Sequence, residues 1–482
     1  MPLFGTDVAF KSFIATRQRR LNVYYDIRSQ KDKSTFTIYG TPGLSLLAQP
    51  TITTNTLRGI LGTPTNLFIV GDGTFQSITS LGPPIVASTP ASKLTTSSGY
   101  VSLATNNTQV LIADGSVGMI YNVASNTLSP IGGSYPNNAQ TNTFVSSFFI
   151  AEEPGTQRFW VSNANDGSTW QGTSFASASA FPGYINAVDS LSDNLLLFCT
   201  DHIEFWQDVG ATPEPFAPIV SASTTLGLGA VFSRAHLDDG LCFLSINMEG
   251  QYQVAQINGY QLGIISTPDI DAIINSLPDA AKAVGLSYGV DSHKFYQITF
   301  PESNRSLIYD SLTQVWGETQ TGASLVQSRH IGDLSTTFNG QTIISDYSNN
   351  NLYTMDPGSY TDNGQVIPRE IITKHVSNNF NRFRVAKLYL DMETGVGLAN
   401  GQGSDPQIML MYSKDNGRTW SGERWKSLGK AGEYLSRVEW RRFGSTRDAT
   451  FKIRMTDPVK FVIADAAMTL RDSSRQTRKE AG

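Results

Sequence analysis

"LLLFCTDHIEFW" (Leu195–Trp206) sets two apolar runs on either side of three polar residues. Leu195–Cys199 and Ile203–Trp206 are each about one short strand long, and Thr200-Asp201-His202 is a polar turn, so the stretch predicts a hairpin. Six further stretches start in the same way: "LFIVGDG" from Leu67, "VLIADGS" from Val110, "RFWVSNANDG" from Arg158, "FLSINMEGQYQVAQING" from Phe243, "KFYQITFPESNRSLIYD" from Lys294 and "TIISDYSNNNLYTM" from Thr342. Consecutive starts lie 37 to 51 residues apart. A hairpin at that spacing is what a β-propeller blade of four short strands requires. The expectation is an all-β chain whose body is a propeller of about seven irregular blades. "MIYNVASNTLSPIG" from Met119 and "LIYDSLTQVWGE" from Leu307 share a degenerate outer-strand pattern of the kelch type.

Helix is scarce. "TPDIDAIINSLPDAAKAVG" offers Thr267 as N-cap, Pro268 at the first helical position, and Ile270, Ile273, Ile274 and Leu277 on one face. It predicts a short amphipathic insertion over 268–284. After Asp356-Pro357-Gly358 the texture changes, and "FRVAKLYLDME", "QIMLMYS", "SRVEWRRFG" and "TFKIRMTD" predict a second, antiparallel β domain of the sandwich type. The division expected is an N-terminal arm or closing strand at 1–45, the propeller at 46–368, the C-terminal β domain at 369–470 and a flexible tail at 471–482.

Charge is distributed unevenly. Residues 1–33 carry a net +4, residues 34–370 a net −17 and residues 371–482 a net +8, within a total of −5. Two readings of this pattern stand side by side: an acidic body that simply keeps a Ser/Thr-rich surface soluble, or one that must not adhere to a polyanion and is held by basic ends that grip other proteins. No apolar run reaches the roughly 20 residues of a membrane helix, and the first residues lack the basic-then-apolar pattern of an export signal. Cys199 and Cys242 sit in apolar runs and read as buried free thiols.

Several motifs invite a chemical reading. "SKDNGRTWS" (Ser413–Ser421) matches the Asp-box pattern of sialidases and related propellers, through Ser413, Asp415, Gly417, Thr419 and Trp420. A tight turn explains these residues without any substrate, with the Asp415 carboxylate accepting backbone N–H groups. "NANDGSTW" (Asn163–Trp170) is a weaker copy. Glycoside hydrolysis needs a facing carboxylate pair, or a tyrosine with an arginine triad for an acidic sugar. Nothing singles out such a pair, and 34–370 holds only nine Lys/Arg. The five histidines lack metal-ligand spacing, while "AHLDDG" (His236, Asp238, Asp239) reads as a solvated turn or a cation site. "GLGA" (Gly227–Ala230) lacks the strand–helix setting of a phosphate loop. "RVEWRRFGSTRDATFKIR" places Arg437, Arg441, Arg442, Arg447, Lys452 and Arg454 beside Trp440 and Phe443. That stretch suits a protein-docking face, plain exposed strands, or a nucleic-acid stripe. No cofactor and no metal are expected.

The order of several stretches resembles one family. "LNVYYDI", "DHIEFWQDVGAT", "STPDIDAII", "DSHKFYQITFP", "SLIYD…VWGE", "LYLDMETGVG", "SKDNGRTWS" and "VEWRRFGSTRDATFKIRMTDPV" follow one another as in the packaged-DNA stabilisation proteins of short-tailed phages. These are the tail hub or nozzle below the portal and its adaptor ring. The resemblance implies a non-enzymatic virion tail protein, made in the host cytoplasm. It further implies a hexameric ring that extends the portal–adaptor channel, retains packaged DNA and holds tail fibres, tailspikes or a needle-like plug. Double-stranded genomic DNA would pass through without specific binding, because each phosphate neutralised by Lys or Arg adds affinity and would stall it. A glycan-binding or glycan-cleaving propeller, sialidase-like or adhesin, is the alternative.

Overall fold

The computed structural model describes residues 4, 18–27, 36–52, 55–324, 326–379 and 381–472. The expected tail falls almost entirely outside them. Among the described residues, seven antiparallel blades of four or more strands succeed one another around a ring. Blades 1 to 4 occupy residues 57–88, 102–130, 142–177 and 185–218. Blades 5 and 6 occupy 227–264 and 284–319, and blade 7 occupies 332–356. Blade 7 takes its fourth strand, Gly43–Ala48, from the N-terminal side of blade 1, so the first and last parts of the body are hydrogen-bonded in one sheet.

The opening stretch shows why its residues form this fold. Asn194–Cys199 is the second strand of blade 4 and Ile203–Asp208 the third. Side chains alternate across a strand. Leu195 and Leu197 therefore pack toward blade 3, with Ile150, Phe159 and Val161. Leu196 and Phe198 pack toward blade 5, with Leu241, Phe243 and Ala255. Both faces of the sheet are covered, so the sequence shows an unbroken apolar run instead of an apolar–polar alternation. The same holds around the ring: seven apolar clusters fill the seven blade-to-blade interfaces, from blades 1 and 2 round to blades 7 and 1. Several tight turns use asparagine in the left-handed region, among them Asn107, Asn126, Asn304 and Asn339.

The helical insertion comes in two short pieces, one before Pro278 and a 3-10 turn, Ala280–Lys282, after it. The first spans Pro268–Ile274 and buries Ile270, Ile273 and Ile274 between blades 5 and 6. Its end tightens into 3-10 bonds, Ser276 N–H to the Ile273 carbonyl and Leu277 N–H to the Ile274 carbonyl (both 3.0 Å), and Pro278 has no N–H to continue it. The Asn275 side chain ties it to blade 5 by accepting the Tyr252 N–H (2.9 Å) and donating to the Tyr252 carbonyl (2.8 Å).

Residues 369–472 form a sandwich with the N-terminal strands. One sheet holds Arg369–Ile372, Asp448–Met455, Gln407–Ser413 and Arg424–Ser427 in that order. The other holds Val23–Ile27, Phe36–Gly40, Val462–Asp472, Phe383–Met392 and Val438–Arg441. Their shared core includes Tyr25, Ile38, Leu388, Leu410, Trp440, Phe451 and Ile453.

Strand Arg19–Leu21 connects the two bodies. It lies parallel to the outer strand of blade 6, with Leu21 opposite Glu318, and antiparallel to the sandwich strand Arg369–Ile372. Blade 6 and one face of the sandwich thereby become a continuous ten-stranded sheet.

Candidate functional site

Three places concentrate polar chemistry. The first is the joint. Arg305, Glu318, Arg19, Glu370 and Arg454 stand on five successive strands of the continuous sheet and alternate in charge. Glu318 accepts from Arg19 Nη2 (2.6 Å) and Arg305 Nη2 (2.9 Å). Glu370 accepts from Arg19 Nη1 (3.1 Å) and Arg454 Nε (2.8 Å). Burial opposes the charge on Glu370, yet Arg19, Lys452 and Arg454 hold its carboxyl below the ordinary value. Burial likewise opposes Glu318, and Arg19 and Arg305 override it. This row is not legible in the sequence. Its one signal was charge inside otherwise apolar strands, as in "RRL" and "REII".

The second place is the propeller axis. Tyr100, at the entry to blade 2, meets Phe232, which interrupts the innermost strand of blade 5, with ring centroids 5.2 Å apart. Blades 2 and 5 lie across the ring from each other, so this contact crosses the bore. The Tyr100 hydroxyl also donates to Asp333 of blade 7 (3.1 Å), which Arg329 pairs with in turn. The bore is closed. On one side of that closure lies a polar well of about 440 Å³, whose wall includes Arg234, His236, Ser287, Lys294 and Thr336.

These inner arginines are engaged in structural bonds. Arg58 donates to the carbonyls of Asp72, Thr96, Ser98 and Gly99, and Arg234 to the Val188 carbonyl and Asp189. His236 Nε2 lies 3.2 Å from Asp189, whereas Asp238 faces Lys294 at 3.7 Å. The "AHLDDG" residues do not converge, and among the described residues no three His, Cys, Asp or Glu side chains are arranged to hold a metal ion. Cys199 and Cys242 are buried free thiols. Burial, with Asp238 adding to it, pushes the Cys242 thiol up to about 12.

The third place is the sandwich's free edge, where the Asp box lies. The box caps the connection between Gln407–Ser413 and Arg424–Ser427. Ser413 Oγ accepts the Gly417 N–H (2.8 Å) and donates to Asp415 (2.7 Å). Asp415 accepts from the Thr419 N–H (2.9 Å) and hydroxyl (2.5 Å), and these hydrogen bonds hold its carboxyl well below the usual range. Asn416 and Gly417 turn the chain with φ of 62° and 80°. Trp420 lies half-buried under the Lys452 ammonium, 4.5 Å from the ring centroid. In the weaker copy Asn165 takes the positive φ and the acceptor is Asp166, one residue later, while Trp170 is buried and donates to the Gly167 carbonyl (2.8 Å).

The six basic residues read as one face are divided between two. Val438 and Trp440 point into the sandwich core from one sheet, and Phe451, Ile453 and Met455 from the other. By alternation Arg441 stands on one outer face, while Lys452 and Arg454 stand on the opposite one, where Arg454 belongs to the joint. Arg437, Arg442 and Arg447 are exposed in the connections beside these strands.

Two family models match the chain. Residues 85–360 match the model described as the β-propeller of bacteriophage P22 Gp10. Residues 368–471 match the one described as its β-sandwich. The chain belongs to the bacteriophage P22 Gp10 family. This is a family of phage structural proteins for packaged-DNA stabilisation, which makes the chain a virion component; it is not an enzyme family. No curated protein sequence matches the chain. Among solved structures, the mitotic checkpoint complex gives 10% identity and a TM-score of 0.42, covering 65% of this chain and 95% of that one. The Swd1 (Cps50) propeller domain of Myceliophteria thermophila gives 10% and 0.40, covering 64% and 99%. YCF48 bound to D1 peptide gives 12% and 0.39, covering 66% and 97%. These likenesses are distant, and the Gp10 family match carries the assignment.

Proposed function

We propose that six copies of the chain form a ring that continues the portal–adaptor channel of a phage tail. The ring retains packaged DNA and is the hub on which fibres, tailspikes or a plug are mounted. The number six comes from the family resemblance. The observation that carries the reading is the closed bore: with Tyr100 against Phe232, no duplex can thread the propeller, so a chain that stabilises packaged DNA does so around a channel lined by several copies. The net −17 over residues 34–370 favours passage of DNA without binding. The role is structural, and the Asp box serves it as a clasp at the sandwich edge, with the exposed arginines beside it as docking groups.

Electron microscopy of the particle's tail tests this. The expected result is a six-fold ring of these chains directly below the adaptor, with DNA lost from particles assembled without the chain. Particles that keep their DNA without it, or a single copy per tail, would overturn the reading.

A further inference from the structure

Within each blade the strands alternate in direction, so the turns joining first to second and third to fourth strands emerge on one face of the propeller. On blades 4 to 6 this face carries six exposed carboxylates: Asp193, Asp208, Glu214, Asp238, Asp239 and Asp291. Lys294 offsets Asp238 in part, at 3.7 Å. The corresponding turns of blades 1 to 3, at 63–66, 81–85, 106–108, 123–126, 146–147 and 164–165, contain no charged residue. Six of the nine exposed carboxylates of residues 34–370 are thus gathered on one sector of one face, and the other three, Asp201, Glu249 and Glu302, stand in turns of the opposite face.

The same sector exposes one apolar side chain per blade. Val209 is 51% exposed, Tyr260 47% and Leu312 53%. The Tyr260 hydroxyl donates to Asn194 (3.3 Å), which fixes the blade 5 turn against blade 4.

A complementary surface lies at the other end of the continuous sheet. The strand Arg424–Ser427 is the edge farthest from blade 6, and the edge strand of the second sheet, Val438–Arg441, lies beside it, with Trp440 Nε1 donating to the Arg424 carbonyl (2.9 Å). Trp425 is 56% exposed, Tyr434 73% and Leu435 94%. The loop that presents the last two is pinned: Thr394 Oγ1 donates to the Tyr434 carbonyl (2.8 Å), and Glu433 accepts the Lys430 N–H (2.9 Å). Around them, residues 414–442 carry eight Lys/Arg against four Asp/Glu. Large apolar side chains held out on a braced loop and ringed by one sign of charge mark an interaction surface.

The geometry points to a second copy of this chain as the occupant: the free sandwich edge of one copy seats on the acidic sector of blades 4 to 6 of the next. Each surface offers aromatic or aliphatic anchors in a field of opposite sign, which gives both burial and register. A contact between two different patches propagates from copy to copy and closes into a ring when the rotation between copies divides a full turn, whereas a self-complementary patch stops at a dimer. The inference rests on the ring reading and adds which surfaces make it.

Cysteine pairing in the full-length chain tests it, since Tyr260 and Leu435 are exposed and the native thiols are buried. Mixing Tyr260→Cys with Leu435→Cys under mild oxidation is expected to give a disulfide-linked dimer of the two variants, and the double variant a ladder of higher species. Arg441→Glu with Arg442→Glu is expected to shift sedimentation toward the monomer, and a partner copy carrying Asp238→Lys and Asp239→Lys to restore assembly. A wild-type chain that sediments as an oligomer, with no cross-link and no response to charge reversal, would overturn this contact while leaving the ring intact. A wild-type chain that stays monomeric at every concentration, alone and on portal–adaptor complexes, would overturn both.

Discussion

The blade interfaces and the joint between propeller and sandwich hold the same chain together by different physics. Each blade interface is an apolar cluster in which a strand gives alternate residues to its two neighbours, as Leu195 to Cys199 do. Burial of that kind has no direction, and its strength follows the area removed from water. The joint is the reverse. Three backbone-paired residues, Arg19 to Leu21, sit between blade 6 and the sandwich, and a row of five alternating charges fixes their register. A ring of blades tolerates small shifts; a charge row does not, because displacement by one residue would leave buried carboxylates unpaired.

Removing bulk from a blade interface should have the largest effect. Phe198 is fully buried and packs edge-on against Phe243, with centroids 5.2 Å apart. Phe198→Ala should cost about 3–5 kcal/mol, read as a fall in the denaturant midpoint of the propeller. A loss under ~1 kcal/mol would mean that the ring absorbs a cavity by shifting blades.

Breaking the charge row should come next. Glu370 is 1% exposed, and Glu370→Gln leaves Arg19 and Arg454 facing each other. Because the Arg19 side chain is 28% exposed, the cost should lie near the low end for a broken buried pair, about 3 kcal/mol. The readout differs from that of Phe198→Ala: protease cleavage between propeller and sandwich should accelerate while the propeller midpoint holds. An equal fall in both domains would show that the joint and the ring unfold as one unit.

Acid should reach the joint in the same way without mutation. Glu318 and Glu370 have folded values below their ordinary 4.5, so their contribution is present above that pH and lost as pH falls through the lowered values. Interdomain cleavage by an acid-active protease should therefore rise progressively as the pH is taken from 6 to below 4.5, and Glu370→Gln should flatten the rise. A pH-independent rate would assign the joint's strength to its backbone pairing instead.

What could be read from the sequence follows the same division. The propeller was legible because a sheet covered on both faces writes itself as short unbroken apolar runs, repeated once per blade. The joint was not, because its partners lie far apart in the chain and nothing local ties Arg19 to Glu318 or Glu370. The basic stretch Arg437–Arg454 misled for a related reason. It crosses from one sheet of the sandwich to the other, so neighbours in sequence such as Arg441 and Lys452 end on opposite faces. The helix stops short of Leu277, although the apolar period continues to it, because the last turn tightens into 3-10 bonds ahead of Pro278, which has no N–H to extend it.

The smallest effect should come from the Asp box, the motif that looked most like chemistry. Ser413 is buried, and its hydroxyl takes the Gly417 N–H and orients Asp415, all within nine residues at an edge far from the propeller bore. Ser413→Ala should cost about 1–2 kcal/mol, because it leaves the Gly417 N–H and the Asp415 carboxylate without their shared hydroxyl. The loss should appear in the sandwich midpoint, with propeller and joint unchanged. Sandwich unfolding by several kcal/mol would mean that the turn nucleates the edge strand Arg424–Ser427 and does more than clasp it. With that strand go Trp425 and the braced loop, so ring assembly should fail in that case even though no residue at the contact was altered.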